Sequence, residues 1–179
     1  MSFFLVDGDL EQRFLQEVCP GKKVMKIGCN GRDVKSIAIA KRIKTLINTT
    51  KSKGPVIVCL DLEDRKMTAT EFSADLSSEL QKLGINQAEI LINVIDQMIE
   101  NWMLADLEGT GLKRKEASAD GFNGKARIKK QISNYQETTT GVALLKKVRP
   151  SVAVKNSASF SNFSTLAGPY FSDCWWMKR

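Results

Sequence analysis

Histidine does not occur among the 179 residues. Its absence removes Ser-His-Asp and Cys-His catalysis and every histidine-ligated metal site, so any hydrolytic chemistry has to rest on carboxylates. Cysteine is scarce too. Cys19, Cys29, Cys59 and Cys174 have no CxxC spacing, which excludes the usual zinc constellations, and they read as reduced cytosolic thiols. No stretch approaches the ~20 consecutive apolar residues of a membrane span. The opening Met1-Ser2-Phe3-Phe4-Leu5-Val6 lacks a basic region and soon reaches Asp7, so it reads as a strand and not as an export signal. The expectation is a soluble, cytoplasmic protein of one domain with a short appended element.

What is present is a surplus of positive charge, +7 from 27 Lys+Arg against 20 Asp+Glu. Such a balance favours a polyanionic partner through phosphate neutralisation and counterion release, the plainer alternative being good solubility. Clustering sharpens the first reading: Lys113, Arg114, Lys115, Lys125, Arg127, Lys129, Lys130, Lys146, Lys147 and Arg149 gather in one stretch of the chain.

Strand and helix patterns alternate before that stretch. Phe3 to Val6 is a short apolar run closed by Asp7-Gly8-Asp9, after which Leu10, Phe14, Leu15 and Val18 recur at helical spacing. Lys22 to Ile27 is a second strand, and Asp33 to Ile47 a second helix. Val56 to Leu60, continuously apolar, suits a central strand buried on both faces and is followed by Asp61-Leu62-Glu63-Asp64. Thr68 to Leu83 forms a helix stopped by Gly84, Glu89 to Ile95 a fourth strand, and Met98 to Leu107 a further helix. The pattern predicts an α/β fold with a mostly parallel four-stranded sheet flanked by helices, its core within 1–108 and a basic helical extension and aromatic tail in 109–179. Two short helices are expected around Ile128 and around Leu144, and the tail ending in Cys174-Trp175-Trp176 either packs over the sheet or makes a contact elsewhere.

Ligands of such sheets bind at the carboxyl ends of the strands. Asp7 closes the first strand and Asp61 the third, Glu11 lies one helical turn beyond Asp7, and Glu63 faces the side of Asp61 if the strand stays extended. Several carboxylates in one small volume repel one another unless a hard cation sits among them, and Mg²⁺ or Mn²⁺ suits that donor set. Each acid alone has the ordinary alternative of capping a helix, the role expected for Asp9 and Asp33. Lys22, Lys23 and Lys26 read as a solvated strand face.

The order Val6-Asp7-Gly8-Asp9-Leu10-Glu11, then Cys59-Leu60-Asp61-Leu62-Glu63-Asp64, then Ile99-Glu100-Asn101-Trp102-Met103-Leu104-Ala105-Asp106 resembles the Toprim fold of topoisomerases, primases and overcoming-lysogenization-defect nucleases. More narrowly, it is similar to small stand-alone Toprim-like proteins of prokaryotes, whose late Ser-x-Ser-Phe segment Ser157-Ala158-Ser159-Phe160 loosely fits. The resemblance spans about residues 3 to 106. It implies catalytic Asp7, Glu11, Asp61 and Glu63, and Mg²⁺ or Mn²⁺ held by Asp7, Asp61, Glu63 and Asp106, with Glu100 a further candidate ligand or else part of a packed helix face. The family's first acid is usually Glu, and its later pair Asp-x-Asp; here Asp7 and Asp61-x-Glu63 keep the charge but change the reach.

The leading expectation is a metal-dependent nuclease, with Lys113, Arg114, Lys125, Arg127, Lys129 and Lys130 binding the nucleic acid. A topoisomerase needs a tyrosine nucleophile and gate domains, a primase a template apparatus, and the chain is short for either. The alternative is a weakly active or inactive Toprim-like subunit that binds nucleic acid or protein; the resemblance implies an ATPase as its partner and phage defence as its setting. A flavodoxin- or receiver-like domain would need a fifth parallel strand, which the basic stretch does not offer.

Overall fold

The computed structural model describes residues 2–50 and 54–177. Strand β1 (Phe3–Val6) lies between β2 (Val24–Lys26) and β3 (Val56–Asp61), and β4 (Ile90–Ile95) pairs with the far side of β3. The sheet order is β2-β1-β3-β4 and every pairing is parallel, in agreement with the expected α/β architecture and consistent with a Toprim-like fold. Helix α1 (Asp9–Val18) connects β1 to β2, α2 (Ser36–Thr50) connects β2 to β3, and α3 (Ala69–Lys82) connects β3 to β4.

The two faces of the sheet bury two separate apolar sets, because alternate side chains of a strand point to opposite sides. Phe3, Leu5, Val56, Val58, Leu60, Ile90 and Val94 pack beneath Ile39 and Ile43 of α2 and Phe72 and Leu76 of α3. Phe4, Val6, Ile57, Cys59 and Ile95 pack instead with Leu10 and Phe14 of α1 and with residues drawn from the C-terminal third of the chain. Helix α1 by itself reaches only part of this second face. The remainder is closed by α4 (Glu100–Met103), α5 (Leu107–Thr110), α6 (Gly124–Lys129), α7 (Val142–Lys147), α8 (Pro150–Asn156) and α9 (Ala158–Ala167). The segment expected as an extension therefore supplies about half of the buried apolar residues on this face of the sheet.

The aromatic tail packs over the sheet. Phe171 stacks on Phe4 with ring centres 4.1 Å apart, Trp176 meets Phe4 edge-on at 5.8 Å, and Trp175 meets Phe14 edge-on at 5.3 Å. Cys174 forms a disulfide with Cys19 at the end of α1, their Cα atoms 4.6 Å apart. The reading of four reduced thiols is thus corrected for this pair: cysteines 155 positions apart give no sequence signal of their proximity. Cys29 and Cys59 are free.

Element bounds differ in places from the sequence reading: β2 is shorter than Lys22 to Ile27, and α2 starts and ends three residues later than Asp33 to Ile47. The helix expected over Met98 to Leu107 is broken into α4 and α5, because the Asp106 carboxylate turns back to accept the Gly109 N–H at 3.0 Å and starts a new helix. The first short helix of the basic stretch begins at Gly124, with Asn123 as its cap accepting from the Ala126 N–H. Among the described residues no helix is long and apolar enough to cross a membrane.

Candidate metal centre

Sheet topology places the site. The chain leaves β1 for one face, through α1, and leaves β3 for the other, through α3, so a crevice opens where the carboxyl ends of these neighbouring strands diverge. Val6 lies opposite Cys59, which brings Asp7 and Asp61 to the two lips of that crevice. Asp61 shares strand parity with Ile57 and Cys59, so its side chain turns towards α1 and the C-terminal layer. Glu63 arrives differently from the expected extended strand: its backbone is left-handed, φ 59°, and this turn swings its carboxylate back over the strand end.

One carboxylate oxygen each from Asp7, Asp61 and Glu63 lies within 4.8 Å of the other two. Ligands 2.0 to 2.6 Å from one divalent ion are separated by up to roughly 4 to 5 Å, so the three fit a single hard cation. Asp61 is 8% exposed and its Oδ1 is buried without any hydrogen-bond partner. A buried acceptor left open costs on the order of 1 to 3 kcal/mol, a cost that a water, a proton or a cation at this point would relieve.

Glu11 and Glu100, both buried, line the same crevice, a cavity of about 210 Å³ that also contains Lys125 and Glu137. The Glu11 carboxylate accepts the Gly8 N–H at 3.0 Å, fixing the first turn of α1 against the site. Glu100 accepts from the Tyr135 hydroxyl at 3.3 Å. Burial raises the pKa of Asp7, Glu11, Asp61, Glu63 and Glu100, and repulsion from neighbouring acids adds to it for the last four. Burial pushes the Glu11 carboxyl up to about 8, with Asp7 and Glu100 adding repulsion. Asp61 is raised well above the carboxylate range by burial and then by Glu11, Asp7, Glu100 and Glu63. Asp7, Glu63 and Glu100 are each raised as well, chiefly by burial.

Two residues hold the cluster that the sequence reading did not single out. Asn30 donates from Nδ2 to Asp7 Oδ2 at 2.7 Å and to the Asp61 carbonyl at 2.8 Å, tying the two strand ends together. Arg65 donates to Asn30 Oδ1 at 2.6 Å and to the Val34 carbonyl at 2.7 Å while its guanidinium lies 4.2 Å above the Phe72 ring. The available signal was the Gly28-Cys29-Asn30-Gly31 turn directly beyond β2, since φ of 61° at Gly28 marks a chain reversal towards the strand ends. A third, Asn101, is wholly buried: it donates to the Ala119 and Phe122 carbonyls and accepts the Gly124 N–H, fixing the start of α6 and with it Lys125. No side chain fits at position 124, where a Cβ would collide with Asn101.

Asp106 is not part of the centre, which corrects its assignment as a metal ligand. Arg149 engages it through Nε at 2.8 Å, Nη2 at 2.7 Å and its own backbone N–H at 2.8 Å, and the guanidinium holds the Asp106 carboxyl down at about 2. Its role is to join α5 to the start of α8. We expect Arg149→Met to lower the melting temperature by stranding this buried carboxylate, with no recovery on adding Mn²⁺; recovery with the ion would return Asp106 to the metal set. The Ser157-x-Ser159-Phe160 segment is likewise structural. Both hydroxyls donate to Asp120 Oδ1, at 2.9 and 2.8 Å, and Ser157 caps α9.

The basic residues divide. Lys125 faces the acid crevice and pairs with Glu137. Arg127 pairs with Glu116 and lies 5.3 Å from the centre of the Phe122 ring. Lys113 and Lys130 border a separate pocket together with Arg114, and Lys129 is exposed on α6. Asp9 and Asp64 are exposed, Asp9 pairing with Lys26 at 2.7 Å, and neither joins the cluster.

Fold and site together define an all-parallel α/β protein with a carboxylate cluster at its topological switch point. Compared with family models, with curated proteins and with solved structures, the chain finds no match.

Proposed function

We propose that the protein is a Toprim-like, metal-dependent nuclease that hydrolyses phosphodiesters with Mg²⁺ or Mn²⁺ held by Asp7, Asp61 and Glu63. The carrying observation is the buried, unpartnered Asp61 Oδ1 within one ion's reach of two further carboxylates. Such a cation, when bound, polarises a phosphate and lowers the pKa of a coordinated water, chemistry that needs no histidine. The chain's own groups supply the rest. Asn30 and Arg65 keep Asp7 and the β3 end in register. Glu11, which burial raises and which lines the same crevice, is the group placed to give a proton to the leaving oxygen. Lys125 at the rim attracts the substrate backbone.

The test is cleavage of single- and double-stranded DNA and RNA by the purified protein with Mg²⁺, Mn²⁺ or EDTA, beside Asp7→Asn. Cleavage that needs the metal and falls at least about a hundredfold in the variant is the expected result. Binding without cleavage under any metal would replace this reading with that of a nucleic-acid-binding subunit, and a search for an ATPase partner would follow.

A further inference from the structure

A second pocket, of about 590 Å³, opens on the other side of α6 from the acid crevice. Its wall is apolar: Leu104 and Leu112 are buried beneath it, and Leu107 and Phe122 are half-exposed within it. Its rim is cationic, with Lys113, Arg114, Lys115 and Lys130, and its single acid, Glu116, is already paired with Arg127. The Nε and Nη1 atoms of Arg114 are shielded from solvent and have no hydrogen-bond partner in the protein. The charge that an incoming anion meets at the apolar wall is therefore that of the rim lysines and of the rest of the guanidinium.

We infer that this pocket seats one nucleotide of a single-stranded nucleic acid, its base against Phe122 and the leucine wall and its phosphate on Arg114 and the neighbouring lysines. The volume falls within the range of small-ligand sites. Several cations on one rim match the multiple charge of a polynucleotide better than the single charge of a carboxylate. The Arg127 guanidinium lies over the Phe122 ring, 5.3 Å from its centre, and offers its own outer plane for a base to stack on. Helix α6 carries Lys125 to the acid crevice and Arg127 to this pocket, so a strand that crosses the helix reaches both. The assignment rests on the reading of the protein as a nucleic-acid enzyme and gives it a preference for unpaired substrate.

The experiment is fluorescence anisotropy of a labelled oligothymidylate in EDTA with the full chain, compared with an abasic oligomer of equal length. Binding is expected to weaken about tenfold or more without bases, and about tenfold in Arg114→Leu, while Asp61→Asn binds at least as well as the wild type. Lys130→Glu, at an exposed position, is the second variant should Arg114→Leu fail to fold, and its binding is expected to weaken as well. Equal affinity for the abasic strand, or unchanged affinity in both variants, overturns the pocket assignment. Metal-dependent cleavage surviving that outcome leaves the proposed nuclease intact; base-dependent binding without any cleavage sustains the pocket and removes the nuclease.

Discussion

Asp61→Asn is expected to raise the melting temperature of the metal-free protein by about 5 °C and to abolish its stabilisation by Mn²⁺. The substitution keeps the side-chain shape and removes a carboxyl whose ionisation is opposed by burial and then by Glu11, Asp7, Glu100 and Glu63. With the ion present the balance reverses: at a hundred times its Kd a ligand adds about 2.7 kcal/mol, or roughly 5 to 10 °C for a chain of this size. The same charges set a pH dependence. Glu11 is raised from the usual carboxylate range to about 8, so the folded state keeps a proton that the unfolded chain releases. Stability of the metal-free protein is therefore full below about pH 4.5 as far as this group is concerned, and falls as pH rises towards 8. Asp61, also raised, acts in the same direction, so the decline should be shallower in Asp61→Asn and should be offset by Mn²⁺ in the wild type. Thermal melts of both proteins between pH 5 and 8, with Mn²⁺ and with EDTA, read all of this; an Asn variant that melts lower than the wild type in EDTA would show that Asp61 is held by a partner inside the protein.

Trp102→Ala is expected to cost about 3 to 5 kcal/mol and to lower the melting temperature by roughly 10 °C. The indole is wholly buried, its Nε1 donates to Ser159 Oγ at 3.0 Å, and its ring centre is 5.1 Å from those of both Phe160 and Phe163 on α9. These contacts bind the α/β half to the C-terminal layer. Because that layer covers one face of the sheet, the variant should still unfold in a single transition, with far-ultraviolet dichroism and the fluorescence of Trp175 and Trp176 changing together. Two separated transitions would mean that residues 109–179 fold as an independent appendage. A chain ending at residue 108 should fail to fold for the same reason, since Phe4, Ile57 and Cys59 would lose most of their cover.

Periodicity made the first half of the chain legible. Strands that are buried on both faces need unbroken apolar runs, and the helices between them need one apolar stripe, so β1, β3, α1 and α3 could be located from Phe3-Phe4-Leu5-Val6, Val56 to Leu60 and the leucine and phenylalanine spacings. Asp7 and Asp61 were legible because an acid ending a parallel strand has its position fixed by the sheet. Glu63 was named correctly as a neighbour of Asp61, but by a different route, since a left-handed turn at the residue itself leaves no periodic trace. Asp106 was misplaced because its partner, Arg149, is 43 positions away and read as part of a basic cluster.

The sequence by itself determined the parallel α/β class, the lack of histidine chemistry and the placing of Asp7 and Asp61 at strand ends. These follow from local pattern and from the direction in which a strand delivers its last residue. Tertiary structure alone decided the rest: that the C-terminal third is a layer of the core, that Cys19 meets Cys174, that Asn30 and Arg65 brace the acids, and that Glu100 lines the crevice and Asp106 does not. Each depends on contacts between residues far apart in the chain, and a hydrogen bond or a buried charge acquires its partner only when the second layer closes over the sheet.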